Sequence, residues 1–185
     1  MFNLLTVKDE VRVLPKNFDM KTEDAIRESL KEQVEGKLNP DIGVFLTVTK
    51  IIETGEGEIL PNDPAIHYPA TYEVLVFEPE DQEIIDGIVI DITEFGAFVR
   101  IGPMDGLVHI SQIMDERISY DSKHSSFMGR RTKKKLQEED IVRVRIVGVS
   151  LGKARTKISL TMRQPCLGSL KWVEADKKKT KAKKK

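Results

Sequence analysis

Aromatic, histidine and arginine side chains are interspersed among the apolar residues of one stretch, Asp86 to Ile113. Phe95, Phe98 and His109 lie among residues whose alternation of apolar and polar types is typical of strands with one buried face. Rings and cations on the outside of such strands can stack on bases and contact phosphates. In the alternative interpretation, Phe98 covers the core and the cations form a solvated face. Binding of single-stranded nucleic acid is therefore one of two interpretations of this stretch.

Strand parity predicts which of these side chains point outward, because successive side chains of a strand alternate between its two faces. Phe98 and Arg100 share the outer face of one predicted strand, and Arg143 and Arg145 share that of another. The last predicted strand has four outward residues: Lys157, Ser159, Thr161 and Arg163. Phe95 falls on the inward set, unless a bulge or kink at Gly96 turns its ring to the surface.

Residues that could support catalysis or hold a metal are sparse. The three histidines, His67, His109 and His124, are dispersed and fit no metal-ligand pattern. The sequence contains no nucleophile elbow and no glycine-rich phosphate loop. The single cysteine, Cys166, excludes an intrachain disulfide and is interpreted as a structural thiol. We expect no catalytic residue, no metal and no cofactor.

Composition points to a globular protein with an uneven distribution of charge. Of the 185 residues, 39% are hydrophobic and 32% charged, and no apolar run is long enough to cross a membrane. The N-terminus lacks the features of a signal peptide, so a cytoplasmic location without a membrane partner is expected. Residues 1–80 contain 8 basic and 16 acidic residues, whereas residues 177–185 contain 7 lysines and no acid. This division suggests segments with different partners.

The first 80 residues have the pattern of a small α+β unit. Strands are predicted over residues 2–14, 42–52 and 72–77, with a short one near Glu58 and the middle one buried on much of both faces. A helix is predicted over about 20–35, capped by Asp19 or Thr22 and ended by Gly36. The segment at residues 78–81 is the predicted domain boundary.

Residues 81–175 have the pattern of an all-β OB-fold barrel. Five short strands are separated by tight turns, and a polar insertion at about 115–139 lies between the third and the fourth. The length of this insertion predicts a hairpin or a mobile loop. A short helix is predicted after Pro165, and the lysine-rich tail 176–185 is predicted to be disordered. The fold class is therefore an α+β N-terminal domain followed by an all-β OB-fold barrel.

Three motifs of the second domain resemble those of the S1 RNA-binding family. ITEFGAFVRI, GLVHIS and KISLTM occur at the spacing of that domain over about residues 82–163. The resemblance implies RNA contacts by Phe95, Phe98 and His109 and by a cation near the start of the fifth strand, Arg155 or Lys157. Residues 150–152 lack the acidic contact found in many members, so that contact is not transferred.

Nearly the whole chain, residues 1–175, resembles the E-prime stalk subunit of archaeal DNA-directed RNA polymerase, the counterpart of the seventh subunit of eukaryotic polymerases. The acidic first domain, GPMDGLVHISQIMDERISYD and LTMRQPCLGSLKW carry this resemblance. It implies a tip domain that docks on the polymerase core, a heterodimer with the smaller partner in the stalk, and a barrel that faces nascent single-stranded RNA. The docking loop it implies contains Gly55, Gly57, Pro61, Pro64, His67 and Tyr68.

Three alternatives use the same barrel. An exosome cap protein should have a further RNA-binding module after the barrel, and the alpha subunit of an archaeal translation initiation factor should begin with it. The third alternative is an assembly adaptor whose barrel does not contact RNA.

Overall fold

The structure, a computed structural model, describes residues 1–122, 124–152 and 156–175. The chain divides into two units, Met1–Glu78 and Pro79–Lys185. No helix in the described residues is long and apolar enough to span a membrane.

Unit 1 consists mainly of antiparallel strands, with a helix on one face of the sheet. Its sheet has the order β1-β5-β3-β2, and β4 pairs with β5. In chain order its elements are β1 (Phe2–Val13), a 3₁₀ turn (Pro15–Asn17), α1 (Thr22–Val34), β2 (Leu38–Asn39), β3 (Gly43–Thr54), β4 (Glu58–Ile59) and β5 (Ile66–Phe77).

Helix α1 forms the core of unit 1 by packing its apolar side onto the sheet. Ile26 and Leu30 are buried together with Val11, Val74 and Val76 of the sheet. Because the helix covers a single face, β3 is half-buried on one side and exposed on the other, so the prediction that β3 is buried on both faces is wrong.

The start of α1 also differs from the prediction. Lys21 occupies the N-cap position and makes no side-chain capping hydrogen bond, so neither Asp19 nor Thr22 caps the helix. Glu23 and Asp24 lie in the first turn, where their charges favour the positive end of the helix dipole.

Strand β5 begins six residues before the predicted start and includes Pro69. The carbonyl oxygen of Pro69 accepts a hydrogen bond from the backbone N–H of Gly55, and the nitrogen of a strand residue points to the same side as its carbonyl. That side faces the end of β3, where the ladder stops at Thr54 opposite Ala70. The N–H group that proline lacks is therefore missing where no regular ladder continues, so β5 tolerates it.

Unit 2 contains a closed barrel and a smaller sheet. Strands β6, β7, β8, β12 and β13 form the barrel, which closes by the β12–β13 pairing, as predicted for an OB-fold. A three-stranded sheet of order β11-β10-β9 lies within the predicted insertion. Its elements are β6 (Ile84–Thr93), β7 (Gly96–Ile101), β8 (Met104–His109), a 3₁₀ turn (Ile110–Gln112), β9 (Ile118–Asp121), β10 (Ser126–Gly129), β11 (Lys135–Gln137), β12 (Ile141–Leu151), β13 (Thr156–Thr161) and β14 (Gly168–Ser169).

Alternating residues of the barrel strands fill its interior. Val99, Val144 and Leu160, from three different strands, are almost completely buried. Arg143 and Arg145 lie on the other side of β12, as parity predicts. A helix covers residues 170–175, the last that the structure describes, and buries Val173.

Candidate nucleic-acid interface

Phe95 lies in the turn between β6 and β7 and its ring is exposed. Thr93 and Phe95 fix the two ends of this turn: Thr93 Oγ1 donates to the carbonyl of Gly96 at 3.1 Å. The carbonyl of Phe95 accepts from the N–H of Ile110 at 2.9 Å. The side chain of Phe95 remains 47% exposed, so its inward placement by strand parity is wrong.

Gly96 brings β7 close to β8 at this point. It pairs with His109, and a Cβ on Gly96 would lie 2.3 Å from the carbonyl oxygen of Val108. Such a contact is far too short, so a side chain at this position would force the two strands apart. The close approach fixes the position of the turn that holds Phe95, directly before Gly96.

Phe95 and Phe98 form an edge-to-face pair. Their ring centroids are 6.0 Å apart and the ring planes are nearly perpendicular, at 89°. Phe98 lies on the outer face of β7, half-buried, opposite Leu107 of β8 and Asp91 of β6. The two rings therefore offer differently oriented aromatic faces on one part of the barrel surface.

His109 ends β8 on the same outer face, diagonal to Phe98 in the β7–β8 ladder. Its Nδ1 accepts a hydrogen bond from the N–H of Ser111 at 3.3 Å and lies 2.9 Å from Ser111 Oγ. Nδ1 is thus the acceptor, and Nε2 carries the ring proton. The exposed Nε2–H can donate to a base edge or a phosphate oxygen.

Two of the predicted cations are engaged by carboxylates. Arg100 forms a bidentate pair with Asp105, at 2.9 and 3.3 Å. Arg143 forms one with Asp86, at 2.7 and 2.8 Å, which raises the pKa of Arg143 and lowers that of Asp86 through these hydrogen bonds. Exposed pairs of this kind contribute about 0–1 kcal/mol, so a phosphate can compete for either arginine.

The remaining predicted cations have different surroundings. Arg145 is half-buried, and its Nε is buried without a hydrogen-bond partner in the described structure. Lys157 is exposed near the start of β13. Arg155 lies outside the described residues.

The structure thus groups Phe95, Phe98 and His109 on one part of the barrel surface and separates Arg143 from them. Arg143 lies on β12 opposite Asp86, whereas Phe98 lies two strands away on β7.

Thr161 does not point into solvent as parity predicts. It is buried, and its hydroxyl donates to Gln112 Oε1 at 2.8 Å. Gln112 lies in the 3₁₀ turn that follows β8, and its carbonyl also accepts from the N–H of Met162. The turn therefore covers this end of β13, which the sequence of β13 alone does not reveal.

The predicted docking loop of unit 1 is mostly a β-hairpin. Glu58 and Ile59 pair with His67 and Ile66, and Tyr68 pairs with Val11 of β1. His67 and Tyr68 are therefore strand residues, and the prediction of a loop that extends to Tyr68 is wrong. The long pairing of β5 with β1 is the reason. Gly55 and Gly57 precede the hairpin, and Pro61 and Pro64 lie in its turn.

His67 ties this hairpin to β1. Its Nε2 lies 2.9 Å from Asp63 Oδ2, and its Nδ1 contacts Glu10 Oε1. Asp63 also accepts two hydrogen bonds from Arg12, each at 2.7 Å. The hydrogen bond to Asp63, with a second to Glu10, raises the pKa of His67. The hydrogen bond from Arg12, with those from Ala65 N–H and His67, lowers the pKa of Asp63.

Within the described part of the chain, no group of three or more His, Cys, Asp or Glu residues could hold a metal ion. Cys166 is exposed.

An OB barrel with clustered aromatic rings and a histidine on its outer face defines a class of RNA-binding domains. The family model described as "S1 RNA binding domain" matches residues 78–163. A second, described as "SHS2 domain found in N terminus of Rpb7p/Rpc25p/MJ0397", matches residues 8–64. Unit 2 therefore contains an S1 domain, and unit 1 contains an SHS2 domain.

Similar proteins match over almost the whole chain. The DNA-directed RNA polymerase subunit Rpo7 of Sulfolobus acidocaldarius is 36% identical over 177 residues, 95% of this chain and 97% of that protein. Rpo7 of Saccharolobus solfataricus is 34% identical over 180 residues, 96% of this chain and 100% of that protein. The DNA-directed RNA polymerase III subunit RPC8 of Saccharomyces cerevisiae is 27% identical over 150 residues, 79% of this chain and 71% of that protein.

The chain belongs to the Rpo7 family of DNA-directed RNA polymerase subunits. It is a non-catalytic stalk subunit of the polymerase with an S1 RNA-binding domain. The predicted resemblance to the stalk subunit is confirmed. The match of unit 1 to an N-terminal polymerase-subunit domain rules against the exosome cap and initiation-factor alternatives, neither of which predicts it.

Proposed function

We propose that unit 2 binds single-stranded RNA leaving the polymerase through the outer face of its barrel, with Phe95, Phe98 and His109 as the central contacts. The observation that carries this proposal is the edge-to-face pair of Phe95 and Phe98 on the barrel surface. An exposed ring offers a π-face that accepts any base, at about 1–3 kcal/mol per stacked base. Sequence preference should therefore be weak.

The charges around this face favour a modest affinity. Asp91 is exposed opposite Phe98, and Asp105 engages Arg100. RNA binding requires Arg100 to exchange this carboxylate for a phosphate, while Lys157, Arg143, Arg145 and Arg155 add cations around the barrel. A subunit that holds RNA during transcription must also let it slide, and stacking with weak phosphate contacts permits that movement.

Docking on the polymerase core is assigned to unit 1. The hairpin of β4 and β5 exposes Ile59 (73%) and the adjacent Leu60 (43%), and the network around His67 holds its backbone in place. Exposed apolar residues on a fixed backbone suit a protein interface, because little ordering entropy is lost on binding. The hairpin is therefore proposed as the part of the tip domain that contacts the core.

A heterodimer with the smaller partner in the stalk completes the proposed assembly. Ile88 of β6 and Ile141 of β12 are paired neighbours that are about half exposed on the barrel surface, with Ile84 nearby on β6. A patch of this kind is typical of a surface that a permanent partner covers. The cytoplasmic location expected from the sequence belongs to the same proposal.

Affinity purification followed by RNA-binding measurements tests the proposal. The tagged protein should be recovered with a small helical partner and with polymerase core, and Ile59→Lys should reduce recovery of the core but not of the small partner. The double variant Phe98→Ala/His109→Ala should weaken binding of single-stranded RNA in a filter assay. Unchanged RNA affinity would favour the adaptor without RNA contact, and core recovery unaffected by Ile59→Lys would refute the docking assignment.

A further inference from the structure

The β10–β11 turn carries a dense group of cations that the contacts proposed above do not use. Five of the six residues 130–135 are Arg or Lys, and residues 129–137 contain no acid: Arg130, Arg131, Lys133, Lys134 and Lys135. All five except Lys134 are exposed. Arg130, Lys133 and Lys135 form no ion pair with any residue that the structure describes.

A half-buried carboxylate fixes the backbone conformation of this turn. The carboxylate of Glu116 accepts from the N–H of Arg131 at 2.6 Å, from the N–H of Thr132 at 3.1 Å and from Thr132 Oγ1. The hydrogen bond from Thr132 Oγ1, with those from the two backbone N–H groups and the charge of Arg131, lowers the pKa of Glu116, so it stays ionised. A Cβ on Gly129 would lie 2.5 Å from Glu116 Oε1, so glycine at this position leaves room for the carboxylate.

The other carboxylates nearby are already engaged. Asp115 accepts two hydrogen bonds from Arg163, at 2.9 and 2.5 Å. Asp140 is buried and pairs with Lys171 at 2.6 Å. The cations of the turn thus project from an ordered backbone whose acidic neighbours have other partners, so a polyanion would meet little competition there.

The turn lies at the end of the barrel where His109 ends β8. A cleft of about 210 Å³ has Arg131 and Lys134 on one side and Met162 and Arg163 on the other. The N–H of Met162 is hydrogen-bonded to the carbonyl of Gln112, three residues after His109. A continuous surface therefore leads from His109 over the end of β13 to the basic turn.

An aromatic ring accompanies the cations at this cleft. Trp172 lines it, and Lys134 Nζ lies 5.7 Å from the centroid of the ring. Cations beside an aromatic ring suit a nucleic-acid strand better than an acidic polypeptide, because the strand presents both phosphates and stacking surfaces.

We propose that residues 130–135 form a second contact for the sugar–phosphate backbone of single-stranded RNA, which continues the path that begins at Phe95, Phe98 and His109. This inference rests on the proposed RNA-binding function and extends it from one patch to a track. The aromatic patch holds a few nucleotides by stacking, and the turn holds the following phosphates by charge. Binding should therefore depend on RNA length, with long strands reaching both contacts and short ones only the first.

The test replaces the exposed cations of the turn by glutamine and keeps Lys134, which packs against Trp172. The variant is Arg130→Gln/Arg131→Gln/Lys133→Gln/Lys135→Gln. A control variant with the same change of charge replaces exposed cations of unit 1: Lys8→Gln/Lys21→Gln/Arg27→Gln/Lys37→Gln. Circular dichroism melting establishes that both are folded, and fluorescence anisotropy gives their affinities for labelled 4- and 16-nucleotide oligouridine over a range of salt.

The turn variant should bind the 16-mer at least 10-fold more weakly than the wild type and the 4-mer with unchanged affinity. Each lost phosphate contact lowers the slope of log K against log salt by about 0.7, so loss of three or four contacts lowers it by about 2–3. The control variant should change neither affinity by more than a small factor common to both lengths.

Three results would overturn the inference or assign a loss elsewhere. Turn and control variants with the same 16-mer affinity and salt slope would refute the second contact. Displacement of the 16-mer by polyglutamate as effectively as by unlabelled oligouridine, in the wild type but not the turn variant, would assign the turn to an acidic protein instead. Binding of the 4-mer that Phe98→Ala leaves unchanged would refute the proposed aromatic site without bearing on the turn.

Discussion

Replacing Phe95 by alanine should weaken binding of single-stranded RNA by about 5- to 150-fold, the equivalent of about 1–3 kcal/mol for one stacked base. The ring is 47% exposed and lies in a turn, so its loss should cost the fold little. Phe98 is half-buried against the barrel, and Phe98→Ala should reduce both RNA affinity and stability.

The geometry of the pair predicts how the two substitutions combine. Because the ring planes meet at 89°, one base cannot lie flat on both rings, and each ring should take its own base. The losses of Phe95→Ala and Phe98→Ala should then add, except for the contact between the rings themselves, which is worth about 0.5–1.5 kcal/mol. A double-mutant cycle should give a coupling energy no larger than this.

Fluorescence anisotropy with a labelled single-stranded RNA measures the four affinities, and two further variants separate the causes. Phe95→Leu keeps apolar area but has no π-face, so it should lose nearly as much affinity as Phe95→Ala. Phe18→Ala removes a ring of matched exposure, 45%, from unit 1 and should change nothing. A folded Phe95→Ala protein with the affinity of the Phe18→Ala control would refute stacking at this position.

Two other perturbations test the structure that supports the sites. Gly96→Ala should lower the free energy of unfolding by about 1–3 kcal/mol, since its Cβ would lie 2.3 Å from the backbone oxygen of Val108; Gly148→Ala, whose Cβ has no atom nearer than 4.0 Å, should be almost neutral in chemical denaturation, and equal losses would contradict the close approach. For His67, whose pKa Asp63 and Glu10 raise, the protonated form is favoured in the folded state, so the stabilisation is complete below the unfolded value of about 6.5 and disappears as the pH rises through the higher folded value. The melting temperature of the wild type should therefore exceed that of His67→Gln most near pH 6 and least above pH 8, whereas a pH-independent difference, or an NMR titration with an unraised His67 pKa, would contradict the network.

Periodicity predicted most of the barrel because its strands each have a single buried face. The alternation in residues 141–149 correctly assigned Val142, Val144 and Ile146 to the core and Arg143 and Arg145 to the other side. The same rule placed Phe98 outside and Val99 inside. Such assignments need only neighbours along the chain, and the buried face of each strand imposes them.

Contacts between distant segments decided what periodicity could not. Phe95 became exposed because the chain turns before Gly96, which lies against Val108, and Thr161 became buried because the turn containing Gln112 covers it. Pairing with β1 extended β5 through Pro69, against the local preference of proline.

The sequence alone thus determined the kind of protein: the S1 motifs, the preceding α+β domain and the outward ring of Phe98 are local patterns and survive in any correct alignment of the strands. Only the tertiary structure decided how these groups can act. It paired Arg100 with Asp105 and Arg143 with Asp86, and it placed the ring of Phe95 against Phe98. It also ordered the basic turn over Glu116. These contacts join residues far apart in the chain, or meet across turns, so their distances depend on how the strands close into a barrel.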